Sequence, residues 1–261
     1  MAGQLETACY ADIGARGEQQ DRVAVFAREE QRLLVLADGL GGHADGAMAA
    51  QAVIDVAREQ FQAPVEHAPA DLLSGIVRGA HERIRGMGAE RGGSPHSTCV
   101  LLHVGESAAV WAHVGDSRLY RFRHGRVVAR TLDHSLVELQ RLQGRIDSEQ
   151  MKRHPDQGRL LEALGADRLP QPDTGEWRVS AGAGFLLASD GLWGNVPDWA
   201  LEAAFTARSL PDALRDLVAR AKDRGGADCD NIAVAAARHA RARGWPFARL
   251  RHWLRRSADA A

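Results

Sequence analysis

Long apolar runs are missing from this chain. No stretch approaches the ~20 consecutive apolar residues that a helix needs to cross a bilayer, so no membrane-spanning helix is expected. Cysteine is scarce: Cys9, Cys99 and Cys229 are the full set among 261 residues, odd in number and without a CxxC pair. That excludes a disulfide framework or a thiolate zinc knuckle and fits a reducing cytoplasm. Excess charge of either sign is also lacking. The formal net charge is -1, so nothing draws the chain as a whole toward nucleic acid. The opening residues MAGQLETACYADIG carry Glu6 and no apolar core, so no signal peptide is expected. HExxH and the Gly-Lys-Ser/Thr phosphate loop are absent, as are internal repeats. What remains is 45% apolar and 26% charged, the composition of a soluble globular protein able to bury a core.

Short apolar runs alternate with longer amphipathic ones. Residues 33–37 (LLVLA), 98–104 (TCVLLHV) and 108–114 (AAVWAHV) read as strands. The last two, joined by Gly105-Glu106-Ser107, read as a hairpin. Residues 119–122 and 127–129 are expected to continue that meander, and 185–188 and 232–236 to supply the last strands. Helical spacing is clearest over 47–61, 71–85, 198–205 and 210–222. Strand clusters between paired helices predict sheets covered by helices. Residues 240–261 are basic and aromatic, with Leu250, Trp253 and Leu254 at helical spacing among arginines. They read as a tail on a domain of residues 1–239. Such a segment can lie on an anionic membrane, but it is short for stable surface binding, and folding back on the domain or disorder is the preferred reading.

One pattern recurs along the strands. Residues 33–37 run into Asp38-Gly39, residues 111–114 through Gly115 into Asp116-Ser117, and residues 185–188 through Ser189 into Asp190-Gly191. Asp230-Asn231 opens directly into the strand at 232, and Asp21 precedes the apolar 23–26. Asp-Gly is ordinary turn chemistry, so any one of these alone reads as a turn. Five at strand ends are harder to explain that way. A carboxylate stripped of water costs free energy unless paired, and several at one sheet edge repel. A divalent cation resolves both, and oxygen ligands suit Mg²⁺ or Mn²⁺.

The ordered motifs Gly14-Ala-Arg16-Gly-Glu-Gln-Gln-Asp21, Ala37-Asp38-Gly39-Leu40-Gly41-Gly42-His43, Ser97-Thr98, His113-Val-Gly115-Asp116-Ser117-Arg118, Thr131-Leu-Asp133-His134-Ser135, Ser189-Asp190-Gly191-Leu192-Trp193 and Asp230-Asn231 resemble the bacterial branch of the PP2C-type (PPM) protein phosphatases over roughly residues 5–237. The resemblance implies an α+β fold, a four-layer αββα sandwich of two antiparallel β-sheets flanked by helices. It implies metal-dependent hydrolysis of phosphoserine and phosphothreonine by a metal-activated water, with two core Mn²⁺ or Mg²⁺ ions and a weaker third. In that likeness Asp38 bridges the core metals, the Gly39 carbonyl binds the second, and Asp190 and Asp230 hold the first. Asp21 supports the cluster, Asp116 with Asp190 holds the third ion, and Arg16 grips the phosphate. The sequence departs from the family at Gln19, at Gln20, where an acid is frequent, and at Leu40, where animal members carry histidine. His43 is open between a site role and a helix cap, and His134 reads as a structural residue near a turn. Residues 136–160 resemble the family's variable flap.

The resemblance implies phosphoprotein substrates and a cognate eukaryotic-like Ser/Thr kinase. The balanced charge speaks against a nucleic-acid partner and the cysteine usage for the cytoplasm, and a monomer is expected. Some bacterial members serve type VI secretion. Two other readings remain at this point: a catalytically weak phosphatase-like binding module, and a phosphohydrolase of small molecules.

Overall fold

A computed structural model of the protein describes residues 5–41, 44–65, 67–151 and 154–239. The chain opens with strands β1 (Leu5–Asp12), β2 (Arg22–Arg28), β3 (Gln31–Ala37) and the two-residue β4 (Gly39–Leu40). Helices α1 (Ala44–Gln62) and α2 (Pro69–Arg91) follow. Next come β5 (His96–Ser97), β6 (Cys99–Val104), β7 (Ala108–Val114), β8 (Arg118–Arg123) and β9 (Arg126–Arg130). Short helices α3 (Leu136–Leu142) and α4 (Ser148–Met151) lie in the expected flap. The chain then forms β10 (Asp173–Arg178), β11 (Ala183–Ala188), α5 (Asp190–Trp193), α6 (Asp198–Thr206), α7 (Leu210–Gly225) and β12 (Ile232–His239).

Two five-stranded antiparallel sheets carry the fold, in the orders β1-β12-β11-β8-β9 and β10-β7-β6-β3-β2. Alternation along each strand builds the layers. In β3, Leu34 and Leu36 face the opposite sheet and pack with Val100, Leu102, Leu119, Phe185 and Leu187. Leu33 and Val35 face the other way, against Val53, Phe61, Leu73 and Ile76 of α1 and α2. On the far side, Leu186, Val234 and Ala236 pack under Leu201, Leu214 and Leu217 of α6 and α7. The αββα sandwich expected from the sequence is therefore what forms, and its central strands are apolar on both faces because both are covered. Local signals mark the helix ends. Ser209 caps α7 by accepting from the Asp212 N–H at 3.3 Å. Gly92 stops α2 in the left-handed region, its N–H donating to the Gly88 carbonyl at 2.9 Å.

Three features depart from the sequence expectations. Strands β1 and β10 were not anticipated. The hairpin β6–β7 forms with the expected boundaries at β7, but β8 and β9 do not continue it. They cross into the other sheet, where β8 pairs with β11. Finally, Asp190 opens a helical turn instead of ending a strand loop. The tail at 240–261 and His43 lie outside the described residues.

Candidate active site

Strand register fixes which ends of the strands meet. In one sheet Arg22 pairs with Ala37, and Cys99 with Val114. In the other, Arg118 pairs with Ala188, and Asp12 with Ile232. The residues just beyond these pairs include Asp21, Asp38, Asp116, Asp190 and Asp230. Asp21 and Asp38 hang from one sheet, Asp190 and Asp230 from the other, and Asp116 sits on the crossing between them. The five carboxylates thus gather where the seam between the sheets opens at one end.

Their electrostatics show the convergence. Burial, and then the charges of Asp21, Asp190, Asp116 and Asp230, push the Asp38 carboxyl well above its ordinary range. Asp116 is raised in the same way, by burial and then by Asp190 and Asp133. Asp21 is pushed up to about 7, by burial foremost and by Asp190 and Asp230, against a hydrogen bond from Ser189. Asp190 reaches about 6, through burial and Asp230. Asp21 is 2% exposed, and its Oδ2 has no hydrogen-bond partner. A buried, mutually repelling set of oxygens with an orphaned acceptor is unstable by itself. It is the donor set that a hard divalent cation satisfies, so the residues present fit such an ion.

The backbone around the cluster is pinned by hydroxyls and one amide. The Asp38 N–H donates to Thr98 Oγ1 at 2.9 Å, and its carbonyl accepts from the Thr98 N–H at 2.8 Å and Ser97 Oγ at 3.1 Å. Thr98 Oγ1 also meets Ser117 Oγ at 2.9 Å, which links the Asp38 turn to the Asp116 turn. Asn231 accepts from the Gln20 N–H at 2.6 Å and donates to the carbonyls of Ile13 and Glu18 at 2.9 and 3.0 Å. It holds the loop carrying Arg16 and Asp21 against the start of β12. Gly39 has to be glycine, since a Cβ there would come within 2.0 Å of the Gly46 carbonyl oxygen at the start of α1.

Arg16, expected to grip phosphate, forks onto Asp230. Its Nε and Nη2 donate to Oδ1 and Oδ2 at 3.0 and 2.8 Å. Arg118 is buried and had no role assigned from sequence. Its fork binds Asp133 at 2.8 and 2.7 Å, and its guanidinium lies 3.5 Å over the Trp193 ring. Trp193 in turn donates to the Asp116 carbonyl at 3.1 Å. This clamp joins three motif segments, and only side-chain geometry reveals it. Cys229, beside Asp230, has its thiol pushed up by burial, which makes it a poor nucleophile. One trio of ligand-type side chains among the described residues also converges: His113, His134 and Asp173, with donor atoms within 4.8 Å of one another.

The family described as "Protein phosphatase 2C" matches residues 13–229, which takes in Arg16, Asp21, Asp38, Asp116 and Asp190 and ends one residue before Asp230. The chain belongs to the protein phosphatase 2C family. The protein phosphatase PhpP of Streptococcus pneumoniae is 29% identical to this PP2C chain over 238 residues, covering 88% of it and 96% of PhpP. The serine/threonine phosphatase of S. agalactiae superposes with a TM-score of 0.82 at 26% identity, over 90% of this chain and 100% of its own. The catalytic domain of the phosphatase PstP, solved with two manganese ions, gives a TM-score of 0.79 at 28% identity, over 90% of this chain and 97% of its own. The PP2C-type identity and the sandwich fold expected from the sequence are both borne out.

Proposed function

We propose that this PP2C chain hydrolyses phosphoserine and phosphothreonine in proteins, using Mn²⁺ or Mg²⁺ held by its aspartates. The observation that carries the reading is the convergence of five buried or half-buried carboxylates that repel one another until cations join them. Asp38, central to that repulsion, would bridge two ions, with the Gly39 carbonyl beside it. Asp190 and Asp230 would hold the first ion, and Asp116 with Asp190 a third. Bound divalent ions supply Lewis acidity toward phosphoryl oxygens and a water acidified to near neutrality.

The chain's own residues bind and orient. A substrate phosphate presents the same paired-oxygen edge that Arg16 now grips on Asp230, so the fork can pass from carboxylate to phosphate. Asp21, with its unpartnered Oδ2, is placed to accept a hydrogen bond from water in the site. The Thr98–Ser117 pair and the Arg118–Trp193 clamp keep the Asp38 and Asp116 turns in register, as near-attack geometry demands. We further read the partner as a eukaryotic-like Ser/Thr kinase whose products this enzyme reverses. It would act as a monomer in the cytoplasm. No helix among the described residues is long and apolar enough to cross a membrane.

The test is turnover of a phosphothreonine peptide after chelation. Activity should vanish in EDTA and return with Mn²⁺ or Mg²⁺, and phosphotyrosine peptides should be poor substrates. Full activity in EDTA overturns the reading. Tight metal binding without turnover favours a binding module, and turnover of small phosphate esters without phosphopeptides favours a small-molecule enzyme.

A further inference from the structure

His113 lies near the end of β7 with no solvent exposure. Both of its ring nitrogens lack a hydrogen-bond partner. The backbone of Gly115 and Ser117 faces the ring, yet neither group reaches hydrogen-bonding geometry. Two desolvated nitrogens without partners are costly, and nothing in the phosphatase centre uses them. Two further ligand-type side chains converge on the ring. Asp173, the first residue of β10, is the direct register partner of His113 across the ladder. His134 is brought over β7 by its N–H, which donates to the Gly115 carbonyl at 2.7 Å. Its ring centroid is 4.7 Å from that of His113, and its Nε2 is 3.5 Å from Asp173 Oδ2.

We propose that His113, His134 and Asp173 form a second divalent-metal site, separate from the aspartate centre and selective for nitrogen-seeking transition ions such as Zn²⁺. Donor chemistry separates the two sites: carboxylates and carbonyls suit Mg²⁺ and Mn²⁺, whereas imidazoles suit Zn²⁺, Co²⁺ or Ni²⁺. Three protein ligands leave a fourth tetrahedral position for water. The Asp173 side chain, 57% exposed, supplies the open side. Burial holds His113 down at about 3, so its imidazole is neutral and ready to ligate. Ligation through Nε2 moves the His134 proton to Nδ1 and gives up the contact from the Gly115 N–H. At 3.4 Å that contact is at the long limit and contributes little. A filled site would tie β10 and the His134 turn to β7, one step before Gly115-Asp116.

The full-length protein, with Mg²⁺ in excess, is titrated with Zn²⁺ and with Co²⁺. Histidine ring nitrogens are followed by NMR, Co²⁺ by its visible absorption, and stoichiometry by equilibrium dialysis. The His113 and His134 ring signals should shift together with one equivalent of Zn²⁺. Asp173→Asn and His134→Gln should each weaken that equivalent by about 10-fold or more, the usual cost of disturbing a metal shell, while keeping Mn²⁺-dependent phosphopeptide turnover. Asp38→Asn, which disables the aspartate centre, should leave the Co²⁺ spectrum of this site in place. Equal Zn²⁺ affinity in wild type and Asp173→Asn, or His113 signals that ignore Zn²⁺, would overturn the proposal whatever the phosphatase assay gives. Asp173 is exposed, so its variant remains decisive if His134→Gln fails to fold.

Discussion

At the scale of the residue, each aspartate carries two opposed expectations, one for folding and one for turnover. Asp38 is held against the charges of four other aspartates. Asp38→Asn should therefore raise the melting temperature of the metal-free protein while nearly abolishing kcat. A turn residue would show neither effect. Asp116→Asn should keep about two tightly bound ions by calorimetry while kcat falls roughly 10-fold or more, the scale of a lost transition-state contact. A kcat near wild type across Mn²⁺ concentrations would remove Asp116 from the site. Arg16 and Asp230 form an exposed pair, and such pairs contribute about 0–1 kcal/mol. Arg16→Ala should leave circular dichroism unchanged and raise KM for a phosphopeptide. An unchanged KM would deny it contact with phosphate. The motif residues were legible in the sequence because acidic strand ends are locally visible. The Arg16–Asp230 fork was not, since it joins residues 214 positions apart.

Among the elements, the flap has a base that can be tested apart from the chemistry. Glu138 in α3 is 1% exposed, and its carboxylate accepts from Arg141 at 2.8 Å through two nitrogens and from Arg130 of β9 at 3.2 Å. Burial works against the charge, but the hydrogen bond from Arg141 and the charges of Arg130, Arg141 and Arg118 outweigh it and lower the Glu138 pKa. Breaking a buried pair is costly; with both arginines about a quarter exposed, about 1–3 kcal/mol is expected for Glu138→Ala. Its KM for a folded phosphoprotein should rise, while p-nitrophenyl phosphate hydrolysis holds, since only the protein substrate needs the flap. Equal losses on both substrates would contradict that division. The strands that escaped the sequence pattern share a cause. β1 and β10 are edge strands, each paired on one side only. Such strands keep polar residues, as in the LETACYAD and DTGEWR segments. The crossing of β8 into the second sheet was hidden for another reason, because an apolar run reads the same whichever sheet receives it.

For the whole molecule, the cluster sets how stability depends on pH. Asp21 and Asp190 rise from 3.8 in the free side chain to about 7 and about 6 in the folded protein. Between these values the native state binds more protons than the unfolded chain, so the metal-free protein loses stability as pH climbs from about 4 to about 7. A tenfold change in proton affinity corresponds to about 1.4 kcal/mol, so the loss is on the order of a few kcal/mol. The apo protein should melt at a higher temperature at pH 5 than at pH 8, and Mn²⁺ or Mg²⁺ should stabilise it most at pH 8. A flat apo profile would contradict the burial of these carboxylates. The seam carries a further, mechanical consequence. Aspartates hung from both sheets meet at that end, where the Thr98–Ser117 hydroxyl pair rivets the Asp38 and Asp116 turns. Shear of one sheet against the other therefore registers first at the rivet and the carboxylates, before the central apolar layer parts. The site behaves as a strain gauge: under mild heat or denaturant, turnover should fade while the helices still give their full signal.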